Sequence, residues 1–156
     1  MTISPTLRDH LTRNDADYTV LEHPQAFSAS QTAQKSHVSG SCLAKGVVVK
    51  DDAGYLMVVL PAVNHIWFED LKALTHRVLC LSDEEEASQL FSDCEMGAFP
   101  ALGEAYGLDV VLDDSLLEQP DIYVEGGDHA NLLHISGKQF ERLMNNALHG
   151  RFSHHD

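Results

Sequence analysis

Two β-branched runs dominate the hydrophobic pattern, Leu43-Ala-Lys-Gly-Val-Val-Val-Lys50 and Tyr55-Leu-Met-Val-Val-Leu60. The segment between them, Asp51-Asp-Ala-Gly54, contains a glycine and predicts a hairpin with a four-residue loop. Side chains alternate between faces of a strand, so Lys45 shares a face with Leu43, Val47 and Val49. Ala44, Gly46, Val48 and Lys50 share the other. A central strand is covered on both faces, so alternation leaves two readings of Lys45 open. Either its aliphatic stem carries the charge out to water, or the cation stands at the end of a pocket.

The rest of the chain alternates between short helical and strand patterns. Leu7 and Leu11, at an i, i+4 spacing, predict a helix over 6–15. Tyr18-Thr-Val-Leu-Glu22 reads as a strand, which His23-Pro24 ends because the residue before a proline is pushed to extended geometry. Ser28 with Gln31 predicts a capped helix over 29–36. After Pro61 closes the second valine-rich strand, a short helix is expected over 68–74 and a strand over 77–81. Ser82 with Glu85 reads as a capping box, which makes the acidic run 83–86 the solvated first turn of a helix ending near Phe91.

Strands are expected over 108–112, 122–125 and 131–135, the last two separated by a Gly126-Gly127-Asp128 turn. Ser136 with Gln139 opens a final helix, in which Phe140, Leu143, Met144, Ala147 and Leu148 follow an amphipathic spacing. Gly150 is its expected stop, and 150–156 reads as a polar tail. The sum is an α/β protein: a single domain over 1–156, its core about 18–149. A mixed sheet of about six strands or more is expected, with helices around it.

Composition narrows the chemistry. The 156 residues suffice for one cored domain. No apolar run reaches the roughly 20 residues that span a bilayer, and the N-terminus has no signal-peptide core, so a cytoplasmic location without membrane attachment is expected. Cys42, Cys80 and Cys94 are odd in number and contain no C-x-x-C spacing, so they read as small buried hydrophobes. The formal net charge of −14, with ten Lys and Arg in all, argues against broad charge-driven binding to nucleic acid. Any nucleic acid bound would be gripped over a small part, with a further protein supplying the rest of the affinity.

Ten histidines raise a metal hydrolase first. Their spacing does not fit: no H-E-x-x-H exists, and His129 and His134 stand five apart across a turn and strand. No G-x-S-x-G elbow and no phosphate-cradling glycine motif is present. What remains is Lys45 on an apolar strand, followed by Gly46, whose missing side chain admits a close approach to the backbone. A glycine-proline loop at 97–103 could turn backbone N–H groups toward an oxyanion, and His129 follows the Gly126-Gly127 turn. These are parts of a pocket that orients an ester without a side-chain nucleophile.

The ordered set His23-Pro-x-x-Phe27, Leu43-Ala-Lys45, Gly97-Ala-Phe-Pro100-Ala-Leu-Gly103 and Gly127-Asp-His129 with Ile135-Ser136 resembles the YbaK/ProX family of aminoacyl-tRNA deacylases. That family includes the editing domain of bacterial prolyl-tRNA synthetases and free-standing relatives. The resemblance runs from about Tyr18 to Met144. It implies a partly curled mixed sheet and hydrolysis of the ester joining a wrong amino acid, a small one such as alanine or cysteine, to the tRNA 3′ end. It implies no metal and no other cofactor.

The resemblance further implies that Lys45, Gly97 and His129 form the catalytic set. Lys45 would anchor the 3′-terminal adenosine or a neighbouring phosphate, and the Gly97–Gly103 loop would hold the carbonyl. Phe27, Gly46, Ala98, Phe99, Pro100, Gly103 and Gly127 would contact substrate, and water would be activated largely by the ribose hydroxyl. Ala101 departs from the second proline that many members carry. The acidic charge leaves open a partner aminoacyl-tRNA synthetase that presents the tRNA, or a substrate other than tRNA. A non-catalytic module of the same fold, binding an aminoacyl or nucleotide ligand or a protein, is the alternative reading.

Overall fold

In a computed structural model of the protein, residues 3–26 and 28–155 are described. Phe27, expected to contact substrate, lies outside them. The chain opens with helix α1 (Pro5–Arg13), strand β1 (Thr19–Glu22) and helix α2 (Ala29–Ser36). The hairpin β2 (Leu43–Asp51) and β3 (Gly54–Pro61) follows, then β4 (His65–Ile66), α3 (Phe68–Thr75), β5 (Cys80–Leu81) and α4 (Glu84–Leu90). The second half carries β6 (Asp109–Asp113), β7 (Asp121–Glu125), β8 (Asn131–Ser136), α5 (Gly137–Leu143), β9 (Leu148–Gly150) and β10 (Ser153–His154).

The main sheet runs β1-β8-β7-β2-β3-β6-β9, and β5 also pairs with β2. It is mixed: β2–β3 and β7–β8 are antiparallel, while β2–β7, β3–β6 and β6–β9 are parallel. One face, which includes Ala44, Val48, Met57 and Val110, packs with Phe91 and Phe140 in the largest core cluster. The opposite face is covered in two places. Ala33 of α2 sits with Leu43 and Ala62, while Leu71 of α3 and Phe152 sit with Val49 and Leu60. Lys45 lies along β2 between these two clusters.

The edge of β2 opposite β3 determines where the site lies. β7 pairs only with Leu43 and Ala44, and β5 only with Val49 and Lys50. The stretch between, 45–48, has no strand alongside it on that edge among the described residues. The sheet therefore splits there, and the 97–103 loop approaches the split. An added Cβ at Gly46 would stand 2.7 Å from the Met57 thioether and 3.3 Å from the Ala101 Cα. Only glycine lets the loop cross β2 this closely.

Several local expectations are corrected. The hairpin loop is two residues, because Asp51 pairs with Gly54. The α4 cap is Asp83 with Glu86, one residue later than expected. Ser82 is still attached to the sheet, its N–H donating to the Val48 carbonyl at 3.1 Å, so the helix cannot start before Asp83. Of the expected strand over 77–81, only Cys80–Leu81 pairs. Cys80 is exposed, and Cys42 and Cys94 are half-buried, so the fully buried reading of the thiols does not hold.

The C-terminus differs most. Helix α5 stops at Leu143, short of Leu148, where Asn145-Asn146 favour competing local hydrogen bonds over helix. Leu148–Gly150 then pairs with β6, and the expected polar tail is part of the fold: Phe152 is fully buried and Ser153–His154 pairs with β4. One buried carboxylate organises this segment. Asp113 Oδ2 accepts from the Phe152 N–H (3.1 Å), the Ser153 N–H (2.9 Å) and the Ser153 hydroxyl (2.8 Å). Burial works to raise the Asp113 carboxyl, but these bonds and two from Ser115 outweigh it and leave it below its ordinary value.

Candidate functional site

A cavity of about 150 Å³ lies at the split in the sheet, with Lys45, Gly46, Gly97, Phe99, Glu125 and His129 on its walls. Residues expected from three separate stretches of sequence thus share one space. Volume of this order accommodates a group about the size of a benzene ring. The first turn of α2 closes one side through Ser28, Ala29 and Thr32. Ser28 caps that helix, accepting from the Gln31 N–H at 3.1 Å.

Lys45 is half-buried and lines the cavity. Its Nζ donates to the Asn64 carbonyl at 2.8 Å and to the Ala62 carbonyl at 3.3 Å. Both acceptors lie just beyond β3, so the loop after the hairpin holds the cation. Burial pushes its ammonium below the ordinary lysine value. Three N–H donors on the group and two carbonyl acceptors leave a donor for a ligand.

The glycine-proline loop is fixed from the opposite wall. His129 Nε2 donates to the Met96 carbonyl at 2.7 Å, and the Glu95 N–H donates to the Gly127 carbonyl at 2.8 Å. His129 is buried and sits at φ +63°, a left-handed turn conformation that aims its ring at the loop. Gly97 has φ +81°, which suits glycine. The Ala98 N–H is used inside the loop, donating to the Glu95 carbonyl at 3.0 Å, whereas the Gly97 N–H has no backbone acceptor among the described residues.

Four expected contact residues stand behind the cavity wall. Ala98 and Pro100 are buried. Gly103 packs on Met57 and Val110, where a Cβ would come within 3.1 Å, and Gly127 faces Cys94 and Ser4. They shape the loop and its anchor.

Glu125, Ser28 and Thr32 were not singled out from the sequence. Alternation along Ile122-Tyr-Val-Glu125 does place Glu125 on the Tyr123 face, and Ser28 and Thr32 are one helical turn apart on the face of α2 that meets the sheet. Their relation to Lys45 depends on the β2–β7 register, a long-range pairing with no local signature. Among the described residues, no group of three or more His, Cys, Asp or Glu side chains is placed to hold a metal ion, and no helix is long and apolar enough to cross a membrane.

The mixed sheet, split at one strand, brings a lysine and a glycine loop to a common cavity. The family profile described as "Aminoacyl-tRNA editing domain" matches residues 23–143, and the chain belongs to that family. A solved structure described as a candidate trans-editing enzyme for prolyl-tRNA synthetase superposes with a TM-score of 0.83 at 21% identity, over 98% of this chain and 99% of that one. A second, described as hypothetical protein APE2540, gives a TM-score of 0.83 at 20% identity, over 96% and 99%. At such identities the superpositions speak to the fold. No curated protein matches the chain in sequence.

Proposed function

We propose that the protein is a free-standing trans-editing deacylase, which hydrolyses the ester of a mischarged aminoacyl-tRNA carrying a small amino acid such as alanine or cysteine. The observation that carries this reading is the convergence of Lys45, Gly97 and His129 on one cavity of about 150 Å³. A space of that size takes small aminoacyl groups and sets an upper limit on the side chain it admits.

In this reading Lys45 binds the 3′-terminal adenosine or a neighbouring phosphate with its remaining donor. The Gly97 N–H receives the developing oxyanion, and His129 acts by holding the Met96–Gly97 peptide in place. The attacking water is oriented by the loop backbone and passes a proton to the neighbouring ribose hydroxyl as that hydroxyl gives its own to the departing ester oxygen, leaving the free amino acid and the ribose diol. An aminoacyl ester is already labile, so positioning and oxyanion stabilisation suffice for useful acceleration. No metal or cofactor enters this scheme. Its place of action is the cytoplasm, where aminoacyl-tRNA is made and used.

The net charge of −14 favours help from a partner synthetase in presenting the tRNA. It also favours the second reading, a module that binds an aminoacyl or nucleotide ligand without turnover. Incubating the protein with tRNAs mischarged with several amino acids, and following ester loss, decides between them. Loss confined to small amino acids supports the deacylase. Absence of loss on every substrate, with binding of an aminoacyl-adenosine analogue retained, supports the binding module.

A further inference from the structure

The register of β2 and β7 places an unassigned carboxylate opposite Lys45. Leu43 pairs with Tyr123 and Ala44 with Val124, so the next residues in step are Lys45 and Glu125. In a parallel pair, residues in register share a face, and both residues line the cavity at the point where the strands part. They do not neutralise each other. Lys45 is held by the Ala62 and Asn64 carbonyls, and no lysine or arginine pairs with Glu125 among the described residues.

Glu125 is the one carboxylate on the cavity wall among the described residues. Its Oε2 accepts from the Gly127 N–H at 3.0 Å, which fixes the side chain at the Gly126-Gly127 turn. The cavity is therefore bipolar, with one cation and one carboxylate on a mostly apolar wall. An aminoacyl group esterified to a terminal nucleotide has the complementary pattern: an α-ammonium on the acyl side and a phosphate beyond the ribose.

We propose that Glu125 receives the α-ammonium of the bound aminoacyl group and selects ligands with a free amine. This rests on reading the cavity as an aminoacyl site. Burial pushes the Glu125 carboxyl above its ordinary value, as does nearby Asp128, while the Gly127 and Gly126 amides and nearby His129 work the other way. A carboxylate desolvated without a cationic partner gains most when a cation arrives, because the incoming charge favours its ionised form. Ser28 and Thr32, on the first turn of α2, supply neutral polar groups to the same wall.

The test uses two non-hydrolysable probes, each with an amide in place of the ester: 3′-alanylamino-3′-deoxyadenosine 5′-phosphate and its desamino counterpart, the 3′-propionylamino compound. Calorimetry should show the wild-type protein binding the amine-bearing probe about tenfold tighter or more, the scale of a charge-assisted hydrogen bond. Glu125→Gln, which keeps the shape and removes the charge, should bind the two probes about equally. Glu125→Asp should retain part of the preference. A preference undiminished in Glu125→Gln overturns the proposal, as does a wild-type protein that ignores the amine or binds neither probe.

Ester hydrolysis plays no part in this measurement. A protein that prefers the amine but leaves every mischarged tRNA intact upholds Glu125 and removes the deacylase. A deacylase indifferent to the amine does the reverse.

Discussion

The ammonium of Lys45 donates to the main-chain carbonyl of Asn64 at 2.8 Å, across the hairpin from its own strand. The position of the cation is thus fixed by backbone rather than by a carboxylate, and its charge is not cancelled. Asn64 is held in turn, since its Nδ2 donates to the Ser153 hydroxyl at 3.0 Å and that hydroxyl donates to Asp113. A chain of four residues therefore connects the cavity to the C-terminal segment. Lysine is the residue this geometry needs, because its three donors fan out from one point, whereas a guanidinium is planar and larger.

Replacing the cation tests the first link. Lys45→Ala should lower kcat/KM for ester hydrolysis by roughly 10- to 100-fold, the scale of a lost charge-assisted hydrogen bond. Lys45→Arg should recover little of this, because its fork cannot reproduce both carbonyl contacts. Circular dichroism should show both variants folded, as the position is only half-buried. Equal kcat/KM for wild type and Lys45→Ala would take the residue out of the reaction.

Asp113→Ala tests the other end of the same chain. The substitution strands two amides and a hydroxyl that have no solvent to turn to, and each unsatisfied buried group is costly. Stability should fall by about 3 kcal/mol or more in urea unfolding. Hydrogen exchange should quicken first at Phe152 and Ser153. A C-terminal segment that stays protected in this variant would show that strand pairing alone retains it.

Most of the fold was legible because it is written in local pattern. The valine-rich hairpin and the Ser28 and Ser136 caps follow from alternation and side-chain capping, and the structure places them as expected. What local pattern does not contain is pairing between distant strands. Leu148 fits the apolar stripe of a helix equally well as a strand beside β6, and the partners of the C-terminal segment lie far back in the chain, at β4 and at β6 with Asp113. The orientation of Lys45 was undecidable for the same reason, since its acceptors lie at Ala62 and Asn64. Glu125 looked like the polar end of a strand until the β2–β7 register set it beside the cavity.

Gly97 offers a test in which backbone geometry and packing separate. At φ +81° an alanine is strained by about 1–2 kcal/mol. Its Cβ would nevertheless meet nothing closer than 3.6 Å, at Glu84 and His129. Gly97→Ala should therefore fold with a modestly lower urea midpoint and turn its N–H away from the cavity. The expected kinetic result is a fall in kcat with KM little changed. Gly97→Asn, which tolerates the left-handed region better, should be the milder variant. An alanine variant with wild-type kcat would exclude this amide as the oxyanion donor.

Acid stability should be governed partly by two half-buried ion pairs on the far end of the hairpin. Glu86 is held at about 2 by hydrogen bonds from Lys50 and Tyr55, against an ordinary value of 4.5, and Asp51 at about 2 by the paired Arg77 guanidinium, against 3.8. Both values are depressed in the folded state, so each carboxylate contributes stability that is fully present above its ordinary value. That contribution is lost as pH falls through about 4.5 for Glu86 and 3.8 for Asp51 toward 2. Thermal unfolding should therefore show Glu86→Gln less stable than wild type at pH 7, with the difference closing as the pH approaches 2. The Glu86→Gln, Asp51→Asn double variant should have the flatter acid limb. Added salt should narrow the neutral-pH gap in part, since half-buried charges are screened less than fully exposed ones. A gap that persisted undiminished at pH 2 would assign the loss to packing around Tyr55 and Lys50 rather than to charge.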